Sequence, residues 1–130
     1  MIIDDPMVCE ALRARLRRGN FSCILIVDTL SYDARTSRFQ RHRLEELRRL
    51  GAQVFLSQGF IDAGRYGPSS ERGLMHLKSV VVNSHVAFSG SANLTKASRK
   101  NRELMFKHTG PPVGKILQVI LDAKDHSLQL

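Results

Sequence analysis

Five apolar residues in a row, Cys23-Ile24-Leu25-Ile26-Val27, end on Asp28, and this run constrains the chain more than any other feature in it. A half-buried strand alternates apolar and polar residues, so an unbroken run fits a strand covered on both faces, central in a sheet, whose end reaches the surface. Such a strand needs cover, and the flanking segments supply it. Asp5 ahead of Pro6 reads as an N-cap, Val8, Leu12 and Leu16 recur at helical spacing and Gly19 is a stop, which predicts a helix over Pro6 to Arg18. Ser37 and Gln40 form a capping-box pattern opening a second helix, with Phe39, Leu44, Leu47 and Leu50 on one face and Gly51 at its close. Gln53 to Leu56 is then a short strand. After the Pro111-Pro112 break, Val113, Ile116, Leu117, Ile120 and Leu121 trace an amphipathic helix expected to pack on the sheet or at an interface. Helix and strand signals alternate, which favours an α/β layered fold, and 130 residues with 42% hydrophobic content suit a single domain with one core.

The residues that carry chemistry follow this frame. His76-Leu77-Lys78 places an imidazole and an ammonium two residues apart, on the same face of an extended chain. The runs Ser79 to Val82 and His85 to Ser89, separated by Asn83-Ser84, read as a hairpin with a tight turn. Pairing Val82 with His85 would pair Val80 with Ala87, Lys78 with Ser89 and His76 with Ser91, because antiparallel partners keep a constant sum of positions. Asn93 returns to the same face if the chain stays extended, and Gly90 and Ala92 are small enough to let a bulky anion approach the backbone. An imidazole, an ammonium, a hydroxyl and a carboxamide then converge. Together they offer donors to phosphate oxygens and one nitrogen able to attack phosphorus.

The set His76-x-Lys78-x4-Asn83, Gly90-Ser91-x-Asn93 and Asn101-x-Glu103 resembles the signature of the phospholipase D superfamily, over Met75 to Lys107. The resemblance implies a layered fold with a mixed β-sheet flanked by helices and phosphodiester hydrolysis through a phosphohistidine, with no metal and no cofactor. It makes His76 the nucleophile or acid, Lys78 and Asn93 phosphate ligands, Ser91 a support, and Glu103 the residue that orients or tunes His76. Asn83 stands where the family's His-Lys-Asp motif has aspartate. Its expected place at the turn reads as structural replacement, since both residues tolerate a left-handed turn; an electrostatic role through a buried network would instead lower activity. The chemistry also needs two histidines, and His42, His85, His108 and His126 have no companion lysine two residues on. A symmetric homodimer would supply a second His76 and Lys78; otherwise the chain is one half of a two-motif protein. Only Met1 to Asp4 could form the strand that usually opens the family's fold, so a domain truncated at its N-terminus is expected.

Charge bears on the substrate. Twenty Lys and Arg against 12 Asp and Glu give a formal +8, which draws polyanions, and nucleic acid, DNA or RNA, is the leading partner. Basic residues gather at Arg13 to Arg18, at Arg35 to Arg49 and at Lys96-Arg99-Lys100-Arg102, the last run beside Asn93. The glycine-rich segment Ser57 to Gly73 precedes His76, and its Arg65, Tyr66 and Arg72 could meet phosphate or stack on a base; a plain surface loop is the alternative. Asp28 reads either as a pocket wall or as a strand-end cap. Anionic phospholipid is the rival substrate, because the same chemistry cleaves it and a basic face binds its headgroups. The sequence has no apolar stretch that spans a bilayer and no secretory signal, and Asp4-Asp5 argues against a transit peptide, so a soluble cytoplasmic protein is expected. Cys9 and Cys23 have no metal-ligand spacing and read as buried thiols in a reducing compartment. The leading reading is a phosphodiesterase, an endonuclease acting as a dimer; the others are a phospholipid hydrolase and a nucleic-acid-binding domain that lost turnover.

Overall fold

Asp5 opens helix α1 (Pro6–Arg17) by accepting, at Oδ1, the N–H groups of Met7 and Val8 at 2.8 and 3.3 Å in the computed structural model, which describes residues 3–33, 38–58 and 76–130. Gly19, with φ +71°, takes the left-handed turn that ends it. Strand β1 (Ile24–Asp28) follows, then the single-turn helix α2 (Thr29–Asp33), helix α3 (Arg38–Arg49) and strand β2 (Gln53–Ser57). The strands β1 and β2 pair in parallel, from Ile24 opposite Gln53 to Asp28 opposite Ser57. Strand β3 (Ser79–Val82), β4 (Val86–Gly90) and β5 (Met105–Thr109) form an antiparallel sheet of their own, and after helix α4 (Pro111–Asp125) the two-residue β6 (Leu128–Gln129) pairs antiparallel with β2. Parallel and antiparallel pairing therefore coexist, and helices flank the sheets as expected.

From Leu25 to Val27 the apolar run of β1 is covered on both faces, while Ile24 at its start is exposed. Leu25, Val27, Val54 and Leu56 share one face and join Ile3, Cys9, Leu16, Leu44 and Leu47 in the core, beneath α1 and α3. Ile26 and Phe55 alternate onto the opposite face, also buried, where Lys124 of α4 sits 5.5 Å from the Phe55 ring centroid. The central position expected for β1 is corrected: among the described strands the order is β1-β2-β6, with β2 in the middle. Side-chain hydrophobicity reports cover above and below a strand, not the strands hydrogen-bonded beside it. Helix α4 packs against β2 and against all three strands of the second sheet, tying the two sheets together. Its Val113 is buried and Ile116, Leu117 and Ile120 are half-buried, whereas Leu121 lies exposed.

Two further expectations shift by one residue. The hairpin pairs Val82 with Val86, Val80 with Phe88 and Ser79 with Ser89, not Val82 with His85. Asn83 and Ser84 both have positive φ (50° and 57°), and the His85 N–H bonds the Val82 carbonyl at 3.1 Å, which makes the expected tight turn. His85 then remains as an extra residue before pairing resumes, a bulge that displaces every partner by one. On α3 the core face runs through Gln40, Leu44 and Leu47, with Phe39 76% exposed and Gln40 1% exposed. Gln40, four and seven residues ahead of Leu44 and Leu47, takes the inward place; the expected capping box with Ser37 lies outside the described residues.

Cys9 and Cys23 are free and buried, and burial pushes the Cys23 thiol up to about 11. Asp28 is a strand-end cap: its Oδ2 accepts the Ser31 N–H at 2.8 Å at the start of α2. Of the opening segment Met1 to Asp4, only Ile3 and Asp4 are described, and Ile3 forms a parallel bridge with Leu94.

Neither amide atom of Gln40 has a hydrogen-bond partner among the described residues. A buried unpaired amide costs about 1–3 kcal/mol. Gln40→Met, close in volume and without the polar atoms, is expected to raise the urea midpoint, by about 1 kcal/mol of stability; an unchanged or lowered midpoint would show that the amide is satisfied.

Candidate active site

The site forms where the chain leaves β4, crosses a loop and re-enters the second sheet as β5. His76, Leu77 and Lys78 lead into β3, and the Gly90 N–H bonds the Lys78 carbonyl at 3.3 Å, extending the β3–β4 pairing one step beyond the strand. The corrected register therefore does not seat Ser91 directly opposite His76. It brings Ser91 to Glu103 instead: the Ser91 hydroxyl donates to Glu103 Oε2 at 2.5 Å and accepts the Leu104 N–H at 3.1 Å, while the Ser91 N–H bonds the Leu104 carbonyl at 3.0 Å. These bonds close a loop over 91–104 at its base. Asn101 adds a fourth hydrogen bond, its Nδ2 donating to Glu103 Oε1 at 3.3 Å.

Lys78 is the group that this arrangement serves. Its side chain is 8% exposed, and its Nζ donates to the His76 carbonyl at 3.1 Å. Burial pulls the ammonium below its ordinary pKa and the Glu103 charge pushes it back up. Glu103 is held below the ordinary carboxylate range first by the Ser91 hydroxyl, then by Asn101, with burial acting against them and the Lys78 charge reinforcing them. His76 is exposed, and its ring bonds no other described residue. The orientation of His76 by Glu103 thus has no hydrogen bond behind it among the described residues; Glu103 instead acts on Ser91, Asn101 and Lys78.

Gly90 is fixed by a different approach from the one the sequence suggested. A Cβ there would stand 2.0 Å from the Leu104 carbonyl oxygen and 2.9 Å from Met105 Cα, so the glycine admits the β5 backbone, not an anion. Asn93 is half-buried, one residue before the Ile3–Leu94 bridge. Asn83 sits at the far turn, separated from Lys78 by the four residues of β3. Lys96 is exposed on the loop, and Arg65, Tyr66 and Arg72 lie outside the described residues. Among the described residues no cluster of His, Cys, Asp and Glu is arranged to hold a metal ion.

The sequence offered no signal for two features of this site: β5, whose return brings Leu104 to Ser91, and the N-terminal segment that lies beside Leu94.

The profile of the family described as cardiolipin synthase, phospholipase D-like domain, matches residues 1–124. Among solved structures, Nuc from Salmonella typhimurium, a phospholipase D family member, superposes with a TM-score of 0.76 at 19% identity, over 99% of this chain and 76% of that one. NucT from Helicobacter pylori gives 0.74 at 18% identity, over 99% of this chain and 77% of that one. No curated protein matches. The structural likenesses speak for the fold.

Ser91→Ala is expected to release Glu103, whose carboxyl should then titrate closer to its ordinary value in an NMR titration. Because a depressed carboxyl stabilises the fold at pH above its unfolded value and loses that contribution as pH falls through its folded value, the stability gap between wild type and Ser91→Ala should be widest near neutral pH and narrow in acid. A gap independent of pH would contradict the role given to this hydrogen bond.

Proposed function

From its membership of the phospholipase D-like domain family described for cardiolipin synthase, to which this chain belongs, we propose that the protein is a metal-independent phosphodiesterase, acting on nucleic acid as a dimer. The observation that carries this reading is the buried Lys78 ammonium, placed between the root of an exposed His76 and a Glu103 carboxylate already engaged by Ser91 and Asn101. Such an arrangement offers a donor for a phosphodiester oxygen two residues from a candidate nucleophile.

A neutral His76 nitrogen attacks phosphorus, a P–N bond forms and the P–O bond to the departing alcohol breaks, with a proton delivered to the leaving oxygen by a second histidine. Water then attacks the phosphohistidine, the second histidine takes its proton, and His76 is regenerated. Lys78 and Asn93 bind the non-bridging oxygens, where charge grows in the transition state. The second histidine is His76 of another copy. Within this chain His108 Nε2 lies 2.8 Å from the Ser89 hydroxyl and His126 Nδ1 lies 2.8 Å from the Asp122 carbonyl oxygen, so both rings are engaged elsewhere. A two-fold axis past His76 supplies the acid without a further motif.

Nucleic acid is favoured by where unspent charge lies. Arg13 is paired with Glu10 and Glu46, Arg48 with Glu45, and Arg41 with the Tyr32 ring and carbonyl, so much of the helical arginine is structural. Lys96, Lys100 and Arg102 are exposed on the site loop and have no ion pair among the described residues. No described helix is long and apolar enough to cross a membrane.

Hydrolysis of a chromogenic phosphodiester and of single- and double-stranded DNA and RNA in excess EDTA is the test, comparing wild type with His76→Ala at matched concentration. Turnover that survives EDTA and falls by at least about 10³-fold in the variant is expected. Folded, dimeric wild type without turnover on any of these substrates would contradict the reading.

A further inference from the structure

The loop over 91–104 is closed at its base by Ser91, Glu103 and Leu104, but its outer half is fastened to the start of the chain by contacts that the chemistry above does not use. The N–H groups of Asp4 and Asp5 both donate to the Leu94 carbonyl at 3.0 Å. The Asp4 carboxylate accepts the Lys96 N–H at 3.1 Å. Asp5, 2% exposed, receives a two-pronged pair from Arg99: Nη2 to Oδ1 at 2.6 Å and Nε to Oδ2 at 2.5 Å. Within the loop the Thr95 hydroxyl, itself buried, accepts the Ser98 N–H at 3.1 Å. Residues 94, 96 and 99 are thus pinned in succession, just past Asn93.

We propose that Asp5 and Arg99 are positioning residues, whose ion pair clamps the Asn93-bearing loop to the N-terminal segment and so sets the phosphate site. The inference rests on the phosphodiesterase reading and adds to it the group that holds one side of the site in place.

Three observations carry it. The first is geometry: a fork-to-carboxylate pair fixes direction as well as distance, which a lysine would not do. The second is economy of charge. In the basic run beside Asn93, the Arg99 side chain is paired with a carboxylate while the side-chain charges of Lys96, Lys100 and Arg102 have no ion pair among the described residues, so Arg99 is committed to the loop and the others are left for a polyanion. The third is the double use of Asp5, which caps α1 and binds Arg99 with the same carboxylate, so the loop is referred to a helix seated in the core. Burial works against ionisation of Asp5, yet Arg99 and the N–H groups of Val8 and Met7 outweigh it and keep the carboxyl below its ordinary range.

Asp5→Asn isolates the clamp from the cap, because asparagine is an equally good N-cap but carries no charge. In the full chain, Asp5→Asn, Arg99→Gln and the double variant are compared by amide hydrogen exchange and by kinetics. Each single variant is expected to speed exchange over residues 94–100 by about ten-fold, leaving α1, β1 and β2 protected. Each is expected to lower kcat by about ten-fold with KM within about two-fold, and the double variant to be no worse than either single, as for two groups acting as a unit. Arg99→Lys, which keeps the charge and loses the fork, should fall with the other variants. Unchanged exchange in Asp5→Asn would overturn the clamp, and faster exchange with an unaltered kcat would overturn its positioning role. If Arg99→Gln raised KM and flattened the salt dependence while Asp5→Asn tightened binding, Arg99 would be a direct phosphate contact and the proposal would fall. Absence of turnover in wild type would count against the phosphodiesterase reading alone; inorganic phosphate binding then decides, with weaker binding in Asp5→Asn supporting the clamp and equal binding overturning it.

Discussion

Removing the Lys78 ammonium from water is the constraint on which the site depends. A buried cation is costly unless opposite charge and hydrogen bonds answer it, and here the answer is incomplete by construction. Its Nζ donates to the neutral His76 carbonyl, and the Glu103 carboxylate that opposes the charge is engaged by Ser91 and Asn101. Glu103 therefore stabilises the ammonium at a distance and, among the described residues, no carboxylate takes its remaining N–H directions. On the reading proposed above, a phosphodiester beside His76 would complete the compensation, which is what would set such a lysine apart from an exposed surface charge.

The rest of the fold holds that balance in place. Gly90 lets the β5 backbone come against β4 closely enough for Leu104 and Ser91 to exchange hydrogen bonds, which carries Glu103 to its post. Helix α4 touches both sheets, so the sheet that carries the candidate site is braced against the parallel pair β1–β2 and their helical cover. The N-terminal residues 3–5 bind the outer half of the loop. The site is thus supported by ties spread from one end of the sequence to the other.

Much of this was legible in the residues, for reasons that also explain the failures. Asp5-Pro6 announced its helix because an N-cap is a local hydrogen bond, and the Cys23 to Val27 run announced cover on both faces because hydrophobicity records burial. Which strand stands at the centre is a matter of hydrogen-bonded neighbours, to which side chains do not speak, and β1 proved to be at the edge of its described sheet. The turn at Asn83-Ser84 was visible, but the bulge at His85 depends on backbone geometry that alternation does not encode, and it moved the register by one. Gln40 sits inward where Phe39 was expected because helical spacing to Leu44 and Leu47 outweighs polarity at that position. Ser91, Asn93 and Glu103 could be nominated from their motif; the partners of Glu103 and the role of Asp5 required the loop to be closed in space.

The central claim is that His76 attacks phosphorus, and trapping the intermediate tests it most directly. Wild type mixed with substrate in excess EDTA is quenched during turnover under conditions that preserve phosphoramidates, digested, and the peptide containing His76 is weighed by mass spectrometry. A phosphoryl or nucleotidyl adduct on His76, present during turnover and absent once substrate is exhausted, is the result this account predicts. Steady turnover with no adduct on His76, or an adduct on another residue, would contradict it.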